Sequence, residues 1–310
     1  MLKRLFEFSG LLELLCKQYG YSFNSPRLKK LYHKCFLKQR KNIPQNRKNM
    51  ELIFSYIDSL GIKNGDILIV HSSFDGMKSA EPDPKEIINY LLKLVGKDGT
   101  LVFPTFPITN LKKSNERYQI YNPKTTFCWT GTLPNIFLTY PKVERSLFPY
   151  NTLAALGPHS KDMMKYNLLD DVPHGKNSSW AYCVDHDAKI LYLGISIAEC
   201  NTVLHSVDDC LGNKWPINNW YETLNYKIKT SEGTIDKTIK VAKAFWARYN
   251  TCYNFNGKLK KLGFMNEEVI GGVNIGYTKS SKKLIDYVIE QALKGQIRYK
   301  IPKKYWKDVL

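Results

Sequence analysis

His205 and Asp208 are the two side chains whose types and spacing best suit acid–base chemistry in this sequence. They lie in the stretch KILYLGISIAECNTVLHSVDD, residues 189–209. Residues 189–193 predict a buried strand that ends at a glycine, and residues 199–209 predict the helix after it. Side chains three residues apart share a helix face, so an imidazole and a carboxylate would meet near the carboxyl end of a strand, where open α/β sheets bind ligands. The alternative interpretation is a surface histidine beside solvated aspartates.

Polar residues also follow two other predicted strands. The continuous apolar run Ile67–Val70 is typical of a parallel strand buried on both faces, and His71, Ser72 and Ser73 come directly after it. A ligand could meet backbone N–H groups there, although a turn that caps the core would use the same residue types. After a predicted helix, GKDGTLVFPTF predicts a second buried strand with Thr105 at its end. The two strands and the helix between them predict a parallel crossover unit.

The remaining elements are predicted from periodicity and turn residues. The string Trp129-Thr130-Gly131-Thr132 predicts the start of a helix over 133–140, where free N–H groups could hold a phosphate or simply be capped by threonine. Residues 107–128 have no clear period and predict a long surface loop, which is typical of lids and ligand walls. Further elements are predicted as helices at 49–60, 83–94, 256–262 and 280–293, a strand at 152–156, a last strand in GGVNIGYTKS, and a β-hairpin between 221 and 242 at the sheet edge.

Residues 1–45 are predicted to form a basic helical extension, and residues 46–310 to form the main domain. Up to residue 50 the chain carries twelve Lys or Arg residues against two Glu. Helices are predicted over 3–18 and 26–41. This extension would contact a membrane surface or a polyphosphate, or it would be a solvated extension that packs on the main domain or on a partner subunit.

Composition limits the class of protein. A chain of 310 residues is long enough for one large α/β domain or two smaller ones. Its net charge of +18 and pI of about 9.4 predict a surface that attracts nucleic acid, acidic membrane or phosphorylated small molecules and repels polycations. Seven scattered cysteines, never spaced Cys-x-x-Cys, argue against a disulfide framework and favour a reducing cytoplasm.

Several chemistries lack their sequence signatures here. The strings Gly-x-Gly-x-x-Gly, Gly-x-x-x-x-Gly-Lys-Ser/Thr, His-Glu-x-x-His and Gly-x-Ser-x-Gly do not occur. The six histidines show no His-x-His or His-x-x-x-His pair, so no metal site is predicted. Basic residues alternate with aromatics in KKLYHK and in the tail IRYKIPKKYWK, but no RNA- or DNA-binding motif accompanies them, and a solvated basic tail is predicted instead.

Six stretches taken together resemble the aminoglycoside 3-N-acetyltransferase family, the antibiotic N-acetyltransferase fold that is distinct from the GNAT acetyltransferases. The resemblance runs from about residue 61 to residue 295. The six stretches, in family order, are GDILIVHSSF, DGTLVFPTF, WTGTLPNIF, RSLFPYNTLAALGPHS, ILYLGISIAECNTVLHSVDD and GGVNIGYTKS. The resemblance implies an α/β fold with a mostly parallel central sheet flanked by helices and an added β-hairpin subdomain.

The resemblance also implies a reaction, in which an acyl group passes from a coenzyme A thioester to an amine without a metal. The family's motif histidine falls on His205 and its acid on Asp208. The residues expected at the oxyanion or coenzyme A are His71, Ser72, Ser73, Thr105, Thr130 and Gly131. The residues expected at the acceptor are Asp75, Tyr150, Asn151 and Thr152. Drug-modifying members carry His-Pro-x-x-Ser where this chain carries Phe148-Pro149-Tyr150-Asn151-Thr152, so one wall of the amine pocket is altered.

The residue types fit this chemistry. An amine attacks a thioester only when it is neutral, and histidine can remove its proton near neutral pH. Asp208 would orient His205 or stabilise its imidazolium. Backbone N–H groups at Ser72 or Ser73 are the candidates to stabilise the oxyanion of the tetrahedral intermediate.

Charge separates the candidate acceptors. A surface of charge +18 would repel a polycationic aminoglycoside and steer coenzyme A and nucleotide-linked sugars, which are anions. The sequence therefore favours an N-acyltransferase of a nucleotide-linked amino sugar in surface glycan synthesis. The alternative is an aminoglycoside 3-N-acetyltransferase that confers resistance; a homo-oligomer is compatible with either enzyme. An alternative of another class is a non-catalytic basic protein that binds membrane or nucleic acid, which thermal stabilisation by coenzyme A would distinguish from an enzyme.

Overall fold

A seven-stranded mixed sheet forms the centre of the chain. The computed structural model describes residues 2–22, 45–108 and 119–307. The strands, in chain order, are β1 Ile67–Ser72, β2 Thr100–Pro104, β3 Gln119–Tyr121, β4 Glu144–Arg145, β5 Leu153–Leu156, β6 Lys189–Leu193, β7 Tyr221–Thr230, β8 Gly233–Ala242, β9 Met265–Ile270 and β10 Val273–Thr278. The sheet order is β4-β5-β2-β1-β6-β10-β9. The three central strands β2, β1 and β6 are parallel, whereas β5 and β10 run antiparallel to their neighbours.

Helices cover both faces of this sheet. They are α1 Leu2–Phe8, α2 Gly10–Ser22, α3 Lys48–Asp58, α4 Pro84–Val95, α5 Thr132–Phe137, α6 Ser160–Met164, α7 Ser179–Asp185, α8 Ile197–Cys200, α9 His205–Leu211, α10 Cys252–Lys261 and α11 Ser281–Leu293. Side chains of β1 alternate between two separate cores, Ile67 and Ile69 on one face and Leu68 and Val70 on the other. The first core includes α7, α9 and α11, and the second includes α3, α4 and α5. This alternation explains why the whole strand is apolar.

For the segment that contains His205, the predicted strand is confirmed, whereas the predicted helix is wrong in its extent. The strand over 189–193 is β6 as predicted, and it pairs in parallel with β1. The helix predicted over 199–209 is instead divided into α8, a 3₁₀ turn over Thr202–Leu204 and α9. Asn201 breaks it, with ψ of 68° and a side chain held by Tyr192 and Asn256 through hydrogen bonds of 2.9 and 2.8 Å. As a result, His205 is the first residue of its own helix.

The predicted hairpin forms, but in a sheet of its own. Strands β7 and β8 pair along their full length, and β3 adds in parallel to β7 to make a three-stranded sheet. The predicted added β-hairpin subdomain is therefore confirmed, whereas a position at the edge of the main sheet is wrong. Residues 119–121 of the predicted loop form the short strand β3. Buried Tyr121, Tyr226 and Ile239 fill a small third core beneath this sheet, which fixes β3 in place.

The predicted N-terminal helix over 3–18 is two helices, α1 and α2. Ser9 separates them and its hydroxyl accepts the N–H of Leu12 at 3.2 Å, which caps α2. The fully buried Glu13 accepts the N–H groups of Tyr253 and Asn254 at the start of α10, at 3.1 and 2.9 Å. The helix predicted over 26–41 lies outside the described residues, and the boundary at 45/46 stays a prediction. No helix in the described ranges is long and apolar enough to cross a bilayer.

Candidate active site

His205 and Asp208 lie together just beyond the carboxyl end of β6. His205 Nδ1 is 3.4 Å from Asp208 Oδ2, and the histidine side chain is 38% exposed whereas that of Asp208 is 3% exposed. Both project from α9, one helical turn apart, which is the geometry that the spacing predicts. The imidazole is therefore partly accessible, whereas its carboxylate partner is buried beneath it.

Arg298 completes this pair and was missed from the sequence. Its Nη2 lies 2.6 Å from His205 Nδ1 and 2.6 Å from Asp208 Oδ2. The tail that contains it was interpreted as a solvated basic terminus, and for Arg298 and Tyr299 this is wrong, since they are only 6% and 5% exposed. The buried carboxylate of Asp208 explains why an arginine is retained there, because a buried charge without a partner is costly.

These surroundings keep the imidazole of His205 neutral. Burial by the surrounding protein atoms and then the guanidinium of Arg298 lower the pKa of His205 to about 4, against the opposing pull of Asp208. At neutral pH the ring therefore carries no net charge.

A cavity of about 110 Å³ opens at His205. The segment from α8 to α9 forms one side of it and the start of α10 forms the other, with Arg298 in the wall. In the described part of the chain, Glu199 is the carboxylate that lines this cavity. The Glu199 carboxylate also accepts a hydrogen bond of 3.0 Å from the hydroxyl of Tyr253. A small polar ligand could therefore reach His205 through this opening.

A second histidine–aspartate pair lies directly against the first. His174 stacks on His205 with ring centroids 5.6 Å apart and planes 23° from parallel. Asp209 Oδ2 lies 3.2 Å from His174 Nδ1 and accepts the backbone N–H of His174 at 3.0 Å. Tyr221 donates to the other oxygen of Asp209 at 3.0 Å. His174 is 1% exposed, so this pair forms a buried support for the exposed one.

A row of rings connects His205 to the end of β1. Trp180 lies between His174 and His71, with centroid distances of 5.4 and 6.3 Å. His71 in turn stacks on Tyr192 of β6, its neighbour across the parallel ladder, at 5.2 Å. Burial lowers the pKa of His71 to about 3, so this ring is neutral and part of the core. The two strand ends that the sequence singled out thus share one face of the sheet.

The residues expected at the oxyanion are placed differently from the prediction. His71 and Ser72 are the last residues of β1 rather than residues that follow it. The N–H of Ser73 donates to the carbonyl of Leu193 at 2.8 Å, so it is already used and the prediction that it could hold an oxyanion is wrong. The hydroxyl of Ser72 is buried without a hydrogen-bond partner among the described residues. Gly131 lies beside this strand end, since a Cβ there would be 3.8 Å from the Ser72 carbonyl oxygen.

Comparison with known proteins identifies the family. The family model for aminoglycoside 3-N-acetyltransferases matches residues 69–291. The chain belongs to this family. It is 31% identical over 149 residues to aminoglycoside N(3)-acetyltransferase IV of Salmonella sp, covering 47% of this chain and 53% of that enzyme. It is 28% identical over 163 residues to aminoglycoside N(3)-acetyltransferase IX of Micromonospora chalcea, covering 48% and 57%. The chain thus spans about half the length of these curated relatives.

Solved structures of family members share the fold. The apoenzyme of aminoglycoside acetyltransferase AAC(3)-IVa superposes with a TM-score of 0.66 at 22% identity, over 85% of this chain and 95% of that one. The binary complex of AAC-IIIb with CoASH superposes with a TM-score of 0.67 at 19% identity, over 82% and 98%. The predicted family and the predicted α/β class with a mostly parallel central sheet are therefore confirmed.

Two threonines that are predicted to contact ligands, Thr105 and Thr152, are buried instead. Thr105 and Thr152 are 0% and 1% exposed, and their hydroxyls lie 3.1 Å apart. Arg145 donates to the hydroxyl and the carbonyl of Thr105 at 3.2 and 2.7 Å. Neither threonine can therefore touch coenzyme A or an acceptor in this arrangement, because the network that ties β2 to β5 uses their polar atoms.

The other predicted site residues do not line the cavity at His205, and their exposure is mixed. Thr130 donates its hydroxyl to the carbonyl of Pro104 at 2.7 Å. Asp75 is exposed and pairs with Lys78 at 2.8 Å. Asn151 has a left-handed φ of 49° and its carbonyl accepts from Trp180 Nε1 at 2.7 Å, so its backbone supports the row of rings. Burial, and then the carboxylates of Glu222 and Asp209, raise the pKa of Tyr150.

Among residues 2–22, 45–108 and 119–307, no three His, Cys, Asp or Glu side chains are grouped so that they could hold a metal ion.

Proposed function

We propose that this chain is an acetyl-coenzyme A-dependent N-acetyltransferase that acylates an amine of an aminoglycoside-type amino sugar. The observation that carries the proposal is the neutral, partly exposed imidazole of His205 at a cavity, backed by a buried carboxylate, in a chain of this family. The names of the relatives support this acceptor, as do structures of family members with a gentamicin and with sisomicin. The comparisons therefore favour the alternative acceptor over the nucleotide-linked sugar that the sequence favoured.

The residues of the site fit each step of such a transfer. The neutral amine attacks the carbonyl carbon of the thioester, so a C–N bond forms and an oxyanion develops. His205 accepts the proton that the nitrogen loses, and it returns that proton to the departing thiolate sulfur as the C–S bond breaks. Asp208 stabilises the imidazolium that exists between the two proton transfers. One methyl-carbonyl group is thus exchanged for one proton, and no other reactant is needed.

The charge of the cavity favours a second candidate acceptor, a nucleotide-linked amino sugar. A polycationic drug is best held by several carboxylates. In the described part of the chain, the cavity at His205 is lined by the single carboxylate of Glu199 and also by the guanidinium of Arg298. With a net charge of +18 for the whole chain, an acceptor that carries phosphates would approach more readily.

Thiol release from acetyl-coenzyme A tests the proposal. The acceptors are gentamicin, apramycin and sisomicin in one arm, and amino sugars linked to nucleoside diphosphates in the other. His205→Gln is the matched inactive control in both arms. Turnover with the drugs supports the proposal, and turnover with the nucleotide sugars alone supports the second candidate. No turnover with any acceptor, together with no thermal stabilisation by coenzyme A, would leave the non-catalytic basic protein as the better account.

A further inference from the structure

Arg298 has more hydrogen-bond acceptors than its nitrogen can serve. Its Nη2 lies 2.6 Å from His205 Nδ1, 2.6 Å from Asp208 Oδ2 and 2.9 Å from the hydroxyl oxygen of Tyr299. A guanidinium Nη carries two hydrogens and can only donate. At any moment one of the three acceptors is therefore left without a hydrogen from Arg298.

When Arg298 donates a hydrogen bond to Nδ1 of His205, only one tautomer of the neutral imidazole is possible. Nδ1 must then be the unprotonated nitrogen, so the neutral ring carries its proton on Nε2. In that tautomer His205 donates a hydrogen bond from Nε2 and cannot accept a proton there. A base that acts through Nε2 needs the proton on Nδ1 instead.

Tyr299 provides the other arrangement. If the two Nη2 hydrogens point to Asp208 and Tyr299, Arg298 keeps two hydrogen bonds and Nδ1 is released. A proton on Nδ1 can then be donated to Asp208 Oδ2, which lies 3.4 Å away. The charge of Asp208 stays compensated in both arrangements, because Arg298 donates to it in each.

We propose that Arg298 is a positioning residue that selects the tautomer of His205, and that Tyr299 is the alternative acceptor that allows the change. In the resting arrangement Arg298 holds His205 neutral with its proton on Nε2. When the hydrogen bond of Arg298 passes to Tyr299, Nε2 gives its proton to solvent and Nδ1 takes one from solvent, so the ring stays neutral and Nε2 becomes the base. The role of His205 in turnover rests on the proposed function. The tautomer of His205 does not, because it can be measured without any substrate. Arg298 lies beyond residue 291, where the match to the family model ends.

The charges around His205 make Arg298 the dominant cation near the ring. The groups that face His205 or its immediate partners are Asp208 from α9, Arg298 and Tyr299 from the C-terminal segment, His174 with Asp209 and Tyr221 behind it, and Glu199, Cys200 and Cys252 in the cavity wall. Burial lowers the pKa of His205 most; the Arg298 cation and, more weakly, His174 also lower it, whereas the Asp208 carboxylate raises it. Removal of the guanidinium should therefore raise the pKa of His205.

Nuclear magnetic resonance of the full chain with ¹⁵N-labelled histidine tests the tautomer without any substrate. The signals of His205 are those absent from the spectrum of His205→Gln. We expect an unprotonated Nδ1 and a protonated Nε2 in the wild type at neutral pH. A wild-type ring that is protonated on Nδ1 would overturn the proposal even if the chain proves to be an acetyltransferase.

Substitution of Arg298 tests the effect on proton affinity. We expect Arg298→Gln to raise the titration midpoint of His205 by about one pH unit or more and to lose the Nε2–H preference. Arg47→Gln is the matched control, because Arg47 is exposed and pairs with Glu86 on the other face of the sheet. If Arg298→Gln does not fold, the shift is measured between Asp208→Asn and Asp208→Asn/Arg298→Gln, the second of which removes both buried charges of this pair. An unchanged midpoint in the variant that folds would overturn the proposal.

Substitution of Tyr299 tests the alternative acceptor. Tyr299→Phe keeps the buried ring but leaves Arg298 with His205 and Asp208 as its two acceptors. We expect the Nε2–H tautomer to persist and kcat to fall about tenfold, with KM for acetyl-coenzyme A unchanged. Arg298→Lys keeps the charge and should retain the low midpoint of His205. Full kcat in Tyr299→Phe would contradict the role of Tyr299, whereas no activity in the wild type would count against the proposed function alone.

Discussion

Two histidine–aspartate pairs stack on each other in this chain, and they differ in almost every property that bears on reactivity. His205 is 38% exposed, opens on a cavity and meets its carboxylate at 3.4 Å across the guanidinium of Arg298. His174 is 1% exposed and has its carboxylate, Asp209, at 3.2 Å. The better-paired histidine is thus the inaccessible one.

The difference teaches that pairing and reactivity are separate properties. Asp209 is saturated, because it accepts from the backbone and ring of His174 and from Tyr221. Such a network fixes the position of a ring and stabilises the fold. In the less closely paired His205 and Asp208, a ring nitrogen of His205 stays available to a substrate. We therefore propose that His205 carries the chemistry and that His174 supports its ring.

The largest expected effect is the loss of turnover when His205 is replaced. In His205→Gln we expect kcat for acetyl transfer to fall by roughly 10²–10⁴, because general-base assistance contributes this much. The same change at the buried neighbour, His174→Gln, should lower kcat by no more than about tenfold, since it removes support rather than the base. Steady-state thiol release measures both variants. A greater loss in His174→Gln than in His205→Gln would reverse the assignment.

A smaller effect is expected on the free energy of unfolding. Here the substitution of His174 should have a larger effect than that of His205. His174→Phe keeps the stacked ring but removes a partner from the buried carboxylate of Asp209, and we expect the free energy of unfolding to fall by about 1–3 kcal/mol. His205→Phe should change it less, because that side chain is partly exposed. Chemical denaturation followed by circular dichroism gives both values. Equal losses would mean that the two pairs are not divided between support and chemistry.

A third histidine, His71, gives the smallest effect and extends the comparison to pH. Its pKa is about 3 in the folded chain against 6.5 when free, so the unfolded chain binds a proton below pH 6.5 that the folded chain does not. Stability from the neutral ring is therefore present above pH 6.5 and is lost as the pH falls. The free energy of unfolding of the wild type should decrease between pH 7 and pH 5.5. In His71→Phe this decrease should be smaller by about 1 kcal/mol.

The control for this pH dependence is an exposed histidine. His186→Gln should leave the decrease between pH 7 and pH 5.5 as it is in the wild type, because His186 lies on the surface at the end of α7. An equal decrease in wild type and His71→Phe would show that the buried imidazole is not the cause.

Much of the central sheet could be predicted because its strands carry their own signals. β6 matches the prediction residue for residue, and β1 extends the predicted run by two residues. Both are apolar runs bounded by turn residues, which is typical of strands buried on both faces. β4 and β9 lack such an apolar run and are not predicted, because β4 has only two residues and β9 is largely exposed and polar.

The candidate site could be predicted only where its residues are neighbours in the sequence. His205 and Asp208 are three apart on one helix, so their contact follows from helix geometry. His174 and Arg298 reach the same place from loops 31 and 93 positions away from His205, and a single sequence shows no signal for such contacts. Thr105 and Thr152 were assigned to ligands because they follow or begin strands, but the folded chain uses them to bond one strand to another.

The most direct test of the central claim is modification of the histidines by diethyl pyrocarbonate, mapped by mass spectrometry while acetyl transfer is followed. This reagent acylates accessible, unprotonated imidazoles. We expect the loss of activity to follow the modification of His205 and not of His174 or His71, and acetyl-coenzyme A with acceptor to slow both. Activity that survives complete modification of His205, or disappears while His205 is intact, would contradict the account.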